Sequence, residues 1–90
     1  MMEERRFGKR WPTALSGRVI LNNASLPIHC TVRDISDDGA RISFPHPVEV
    51  PSKFELEIGK GFLAQARVMW SDGNDYGLAF IKRPMARSKP

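Results

Sequence analysis

Residues 28–44 read IHCTVRDISDDGARISF, and this stretch decides the fold class. Apolar side chains occupy every second position on both sides of its acidic segment, at Ile28, Cys30, Val32, Ala40, Ile42 and Phe44. A period of two is typical of a β-strand that turns one face to a core and the other to solvent. The stretch therefore predicts two strands joined by a turn at 36–39, SDDG.

The same alternation recurs along the chain. An earlier strand is predicted at about 13–22, with Leu15, Val19 and Leu21 on one face. Three later strands carry the apolar sets Phe54, Leu56 and Ile58; Phe62, Ala64, Ala66, Val68 and Trp70; and Tyr76, Leu78 and Phe80. Turn-rich segments at 22–25, 59–61 and 71–75 separate the strands, and a longer, proline-containing link occupies 45–52.

Six short strands with one apolar face each predict an all-β fold, a six-stranded antiparallel β-barrel. Closure buries the apolar faces together and removes the exposed strand edges that favour aggregation. The predicted barrel spans 12–83, with an arm at 1–11 before it and a basic tail at 84–90 after it. The arm is expected to be flexible and ligand-binding, since it is mostly charged and holds few apolar side chains.

Composition narrows the class of protein. A chain of 90 residues forms one domain, and a single cysteine, Cys30, excludes an internal disulfide and a cysteine-rich zinc site. No apolar run approaches the ~18 residues of a membrane span, and the charged start MMEERRFGKR does not resemble a signal peptide. We therefore expect a cytoplasmic protein without membrane insertion.

The net charge of +4 is concentrated at the two ends of the chain. Residues 1–18 hold five basic and two acidic residues, and residues 82–90 hold four basic residues and no acidic one. The segment between them, 19–81, has five basic against eight acidic residues. A nucleic-acid-binding domain normally carries a basic stripe on its folded body, so neither DNA nor RNA is an expected partner.

The acidic turn begins like a calcium loop, D-x-S-x-D-G, but the rest of that pattern is missing. A loop starting at Asp34 would need a glutamate at its twelfth position, which is Pro45, and helices rather than strands on both sides. His29 and His46 are expected at the surface, without a second ligand at useful spacing. No catalytic triad, carboxylate pair or phosphate-binding glycine motif can be assembled. We therefore expect no metal, no cofactor and no enzymatic activity.

Two short motifs remain. Arg6 and Arg10 form R-x-x-x-R, with Arg5 directly before them, and the opening stretch contains D-x-S-x-x-G in Asp34, Ser36 and Gly39. Each motif is weak evidence alone, but both are followed by VMWSDGNDYGLAF at 68–80, which contains W-x(6)-G in Trp70 and Gly77. The combination closely resembles the PilZ domain, a bacterial family that senses the second messenger cyclic di-GMP. The resemblance covers about 5–81.

The resemblance implies a cyclic di-GMP receptor and adaptor that relays the second-messenger level to an unidentified downstream protein. Motility, exopolysaccharide or surface control are the processes it suggests. The ligand-binding residues would be Arg5, Arg6, Arg10, Asp34, Ser36 and Gly39. PilZ domains commonly continue into a C-terminal helix; here Pro84 and the few residues after it predict a helix that is short or absent.

The chemistry of these residues suits the ligand. An arginine fork can pair with guanine O6 and N7 or with a phosphate, while Asp34 and Ser36 offer acceptors to the N–H groups on the other guanine edge. Gly39 is expected to adopt a positive φ that brings the backbone close to a base. In the family, an arginine directly before R-x-x-x-R, here Arg5, accompanies two bound ligands rather than one.

Two other functions fit the same barrel. The first is a PilZ-type protein-interaction module without a ligand. The second is a barrel that binds single-stranded nucleic acid by stacking bases on aromatic side chains. Trp11 is the only aromatic residue predicted to face outward near the arm, and packing on the barrel rim explains it equally well. The acidic body argues against nucleic acid.

Overall fold

The computed structural model describes residues 11–21 and 26–86, and these form a closed six-stranded barrel. The strands are β1 (Trp11–Ile20), β2 (Ile28–Ile35), β3 (Gly39–Ser43), β4 (Lys53–Ile58), β5 (Phe62–Asp72) and β6 (Asp75–Ala86). They are hydrogen-bonded in the order β1-β2-β3-β6-β5-β4, and β1 closes the ring by pairing with β4. Every pair is antiparallel. The predicted all-β barrel is confirmed.

The interior of the barrel is filled by the alternating apolar side chains. The largest fully buried ones are Ile42, Leu56, Val19, Val32 and Cys30. Because successive residues of a strand point to opposite faces, each of these positions brings a polar or small neighbour to the outside. Within the described ranges, no helix is long and apolar enough to cross a membrane.

Three residues predicted on the apolar face are instead about half exposed: Leu15 at 44%, Phe62 at 49% and Trp70 at 47%. The register of β1 with β2 shifts before Leu15, and the register of β5 with β6 shifts before Trp70. A bulge adds one residue to a strand and breaks its alternation. Phe62 is the first residue of β5 and directly follows the turn at 59–61.

The first and last strands have different bounds from those that the sequence pattern predicts. β1 begins at Trp11, and β6 continues through Pro84 to Ala86 because its last residues pair with the start of β5. Among the described residues β3 pairs with β6 only as far as Ala79, so Pro84 lies where the strand has one partner and a missing N–H is tolerated. Residues 1–10 of the predicted arm at 1–11, the turn at 22–25 and residues 87–90 lie outside the described residues.

Glu57 occupies a polar position in the alternation of β4 and is nevertheless buried. Its Cα partner on β1 is Arg18, whose Nε donates to Glu57 Oε1 at 2.7 Å. A second guanidinium nitrogen of Arg18 bonds the same oxygen. The alternation was correct about direction, since Glu57 points outward; the arginine across the strand pair covers it and supplies the charge that a buried carboxylate needs.

Cys30 gives a test of this core. Burial raises the pKa of its thiol from 9.0 to about 12. The folded protein therefore holds this proton more tightly than the unfolded chain, so folding stability should fall as the pH rises from about 9 towards 12. We expect a slope of up to about 1.4 kcal/mol per pH unit that Cys30→Ala removes, measured by urea unfolding at several pH values. An unchanged slope in Cys30→Ala would assign it to another group.

Candidate functional site

The acidic segment of the opening stretch is a tight turn closed by Ser36. The backbone N–H of Ser36 donates to the Gly39 carbonyl at 2.8 Å. In the other direction, the side-chain oxygen of Ser36 accepts from the backbone N–H groups of Asp38 and Gly39, each at 3.2 Å. The serine thus satisfies polar groups of the turn, as short hydroxyl side chains often do. Its predicted contact with guanine stays a prediction.

Gly39 does not have the positive φ that the sequence analysis expected; the glycines with positive φ in the described chain are Gly59, Gly61 and Gly73. The structure requires glycine at 39 for another reason. A Cβ there would overlap the backbone carbonyl oxygen of Leu78 and lie 3.3 Å from the Cα of Ala79. Close approach of β6, rather than a left-handed backbone, excludes a side chain.

Asp34 is held by an ionic network across three strands. Arg41 on β3 donates from Nε to Asp34 Oδ2 at 3.1 Å and from Nη1 to Asp75 Oδ2 at 3.2 Å. Ser43 donates to the other oxygen of Asp75, Oδ1, at 2.6 Å. The Asp34 side chain is 18% exposed and that of Arg41 38%. The carboxylate predicted to bind a base is therefore oriented by the protein.

A row of paired residues crosses the outside of the barrel at the level of Asp34. Successive Cα partners are Pro12 and Asp34, Asp34 and Arg41, Arg41 and Gly77, and Gly77 and Trp70. Directly paired residues in antiparallel strands point to the same face. A Cβ at position 77 would overlap the indole ring of Trp70, so the ring occupies the space over the bare glycine. The W-x(6)-G spacing thus produces an exposed aromatic surface in the same row as Asp34.

The start of β1 lies at the same place. Trp11 is the Cα partner of Ile35, and Pro12 is the partner of Asp34. The ten residues that precede Trp11, which include Arg5, Arg6 and Arg10, are covalently attached beside the D-x-S-x-x-G turn. The three arginines themselves lie outside the described residues. The structure places Asp34, Ser36 and Gly39 at the hairpin that joins β2 to β3.

A comparison with known protein families matches residues 4–89 to the PilZ domain. The chain belongs to the PilZ domain family. PilZ domains are binding and adaptor modules and generally bind cyclic di-GMP. No curated protein and no solved structure matches the chain.

Sequence reasoning missed Arg41, Ser43 and Asp75 of this PilZ domain. Arg41 and Ser43 occupy the polar positions of the alternation that starts at Gly39, which predicts that both face outward. Nothing in the sequence pairs them with Asp75, because β3 and β6 are neighbours in the sheet although β4 and β5 lie between them in the chain. The sequence offered one signal for this network: Arg41, two residues after the glycine of D-x-S-x-x-G, had no assigned role.

Proposed function

We propose that this PilZ domain is a cyclic di-GMP receptor and adaptor that relays the level of the second messenger to a downstream protein. The observation that carries the proposal is the pairing of Pro12 with Asp34. It attaches the segment with R-x-x-x-R directly beside the strand with D-x-S-x-x-G, although the two motifs are separated by more than one strand in sequence. A ligand bound at the turn would be within reach of both.

The reach of the arginines supports this arrangement. Arg10 directly precedes Trp11, and Arg6 lies five residues before it. An extended chain spans at most about 3.5 Å per residue, so the Arg6 Cα lies within about 18 Å of the Trp11 Cα in any conformation. An arginine side chain adds several more ångströms. Both guanidinium groups can therefore act on one dinucleotide held at Asp34.

The two halves of the site would have complementary roles. The arginine forks suit the phosphates and the O6/N7 edge of guanine, and the Asp34 carboxylate suits the N1–H and N2–H donors on the opposite edge. Asp37 and Asp38 in the turn are exposed and add negative charge beside an anionic ligand. The basic segment must outweigh this repulsion, so binding should weaken as the salt concentration rises.

Calorimetric titration of the full chain with cyclic di-GMP tests the proposal, with GTP and a single-stranded oligonucleotide as controls. We expect saturable binding of cyclic di-GMP and much weaker heats with both controls. If none of the three bound, the chain would be a protein-interaction module without a ligand. Preferential binding of the oligonucleotide would instead support the stacking barrel.

The number of bound ligands depends on Arg5. Two stacked dinucleotides bring four phosphate charges and additional guanine edges to one site, which two arginines cannot all pair, and Arg5 adds a third fork. We expect two cyclic di-GMP molecules per chain, and one per chain in Arg5→Leu. Titration at protein concentrations well above the dissociation constant gives the ratio directly. A parent that saturates at one ligand, or a variant that still binds two, contradicts this role of Arg5.

A further inference from the structure

We propose that Arg41 is a positioning residue of the guanine site: it fixes the Asp34 carboxylate in the orientation that a guanine edge requires, and Asp75 fixes Arg41. The inference rests on the proposed function, because it assumes that Asp34 meets a base. It goes beyond that function by assigning roles to two residues outside both sequence motifs.

The first step is the freedom of a carboxylate. The terminal torsion of an aspartate side chain is broad rather than confined to narrow wells, so the plane of the group is not set by its own covalent geometry. Guanine presents N1–H and N2–H side by side, and both can bond one carboxylate only when that plane is aligned with the base. An external partner must therefore set the plane of Asp34. Arg41 Nε on Oδ2, at 3.1 Å, is such a partner.

The second step is the rigidity of the partner itself. A guanidinium is planar and its donors form a fixed fork. Arg41 uses two of them on two carboxylates, Nε on Asp34 and Nη1 on Asp75, so its plane is held at two points. The Ser43 hydroxyl occupies the remaining oxygen of Asp75 at 2.6 Å and restrains that carboxylate in turn.

The third step is the space beside Arg41. Its Cα partner on β6 is Gly77, and the Trp70 indole covers this glycine. The two hydrogen bonds of Arg41 show that its side chain extends across the sheet surface between Asp34 on β2 and Asp75 on β6. Half-exposed ion pairs of this kind add little to folding stability. The network is better explained by the orientation of Asp34 than by a contribution to the fold.

The test compares cyclic di-GMP with cyclic di-inosine monophosphate, whose bases lack the exocyclic amine that provides N2–H. The parent should prefer the guanine ligand, because an aligned carboxylate uses both donors. Arg41→Ala should bind cyclic di-GMP about tenfold more weakly and lose most of this preference, because a misaligned carboxylate uses only one donor well. Asp75→Asn should show the same change to a smaller extent.

Two further variants separate charge from geometry. Arg41→Lys keeps the positive charge, but one ammonium group cannot hold two carboxylates in a fixed plane, so the preference should remain low. Arg83→Ala removes an exposed arginine near the far end of β6, roughly 20 Å along the strand from Gly77, and should bind both ligands like the parent. Circular dichroism confirms that each variant is folded.

The outcomes distinguish the inference from the proposed function. If the parent binds neither dinucleotide, the proposed function fails and this inference falls with it. If the parent binds and Arg41→Ala keeps the full preference for guanine, only the positioning role is overturned. Folded Arg41→Ala without measurable binding would make Arg41 a direct ligand contact, which also overturns the positioning role. A preference restored by Arg41→Lys would show that charge alone suffices and would reject the geometric argument.

Discussion

Gly39→Ala should lower the free energy of unfolding by about 3 kcal/mol or more, because the new methyl group has no room and the obstacle is backbone. The added Cβ would overlap the Leu78 carbonyl oxygen. That carbonyl cannot move alone, since β3 and β6 are paired at Gly39 with Ala79 and at Ala40 with Leu78. The adjacent Asp38 carbonyl also accepts from the Phe80 N–H at 2.8 Å.

Urea unfolding monitored by circular dichroism measures this loss, and two other glycines provide matched controls. Gly61 has a φ of 89° with open space around it, so alanine there should cost only about 1 kcal/mol through backbone strain. At Gly77 the obstacle is the Trp70 side chain, which can rotate away, so Gly77→Ala should cost less than Gly39→Ala and should change the tryptophan fluorescence. A Gly39→Ala variant as stable as Gly61→Ala would contradict the close-approach argument.

The same position shows why a motif predicts a residue better than it predicts the reason for it. The spacing D-x-S-x-x-G identified Gly39 correctly as special, and a turn glycine suggested a positive φ. Its actual constraint is the distance to a strand that begins 36 residues later in the chain, at Asp75. Local sequence contains no information about that approach. The constraint exists only once β3 and β6 have paired.

The strands themselves could be predicted because burial of one face enforces a period of two over the whole barrel. Ile42, Leu56 and Val32 are fully buried as the alternation requires. The prediction failed where the register shifts, as it does before Trp70. A bulge changes the face on which every later residue lies, and a bulge without glycine leaves no clear trace in the sequence.

The candidate site also has one part that the sequence predicts and another part that it does not. Asp34, Ser36 and Gly39 lie close together in sequence, so a local pattern could identify them. The ionic network on Asp34 includes Asp75, which lies on β6, beyond β3 from Asp34. Its residues become neighbours only through the strand order β2-β3-β6. The composition shows that the body of the domain is acidic. It does not predict that Arg41 bonds two of the acidic residues, Asp34 and Asp75.

Arg10→Ala should weaken cyclic di-GMP binding by well over about tenfold, and Asp34→Ala should do so as well, because neither half of the proposed site binds the ligand alone. Bringing residues 5–10 onto a ligand fixes six residues at about 1–2 kcal/mol each, so roughly 6–12 kcal/mol opposes binding. One charge-assisted hydrogen bond returns about 1.5–3 kcal/mol. Several arginine contacts are therefore needed before any affinity remains, and a micromolar complex requires about 8 kcal/mol beyond that. Arg6→Ala should behave like Arg10→Ala.

Calorimetric titration of these variants separates the arginines of the motif from general positive charge. Lys9→Ala removes the same charge one residue from Arg10, and its effect should be small and should disappear at high salt. Ser36→Ala should weaken binding less than Asp34→Ala, because the serine oxygen already accepts two backbone N–H groups of the turn whereas Asp34 binds as an anion. Folding should be unchanged in Arg10→Ala, since no residue of the described core precedes Val19. If Arg10→Ala bound the dinucleotide as tightly as the parent, the segment before β1 would have no part in the site, and the pairing of Pro12 with Asp34 would have to be explained by the fold alone.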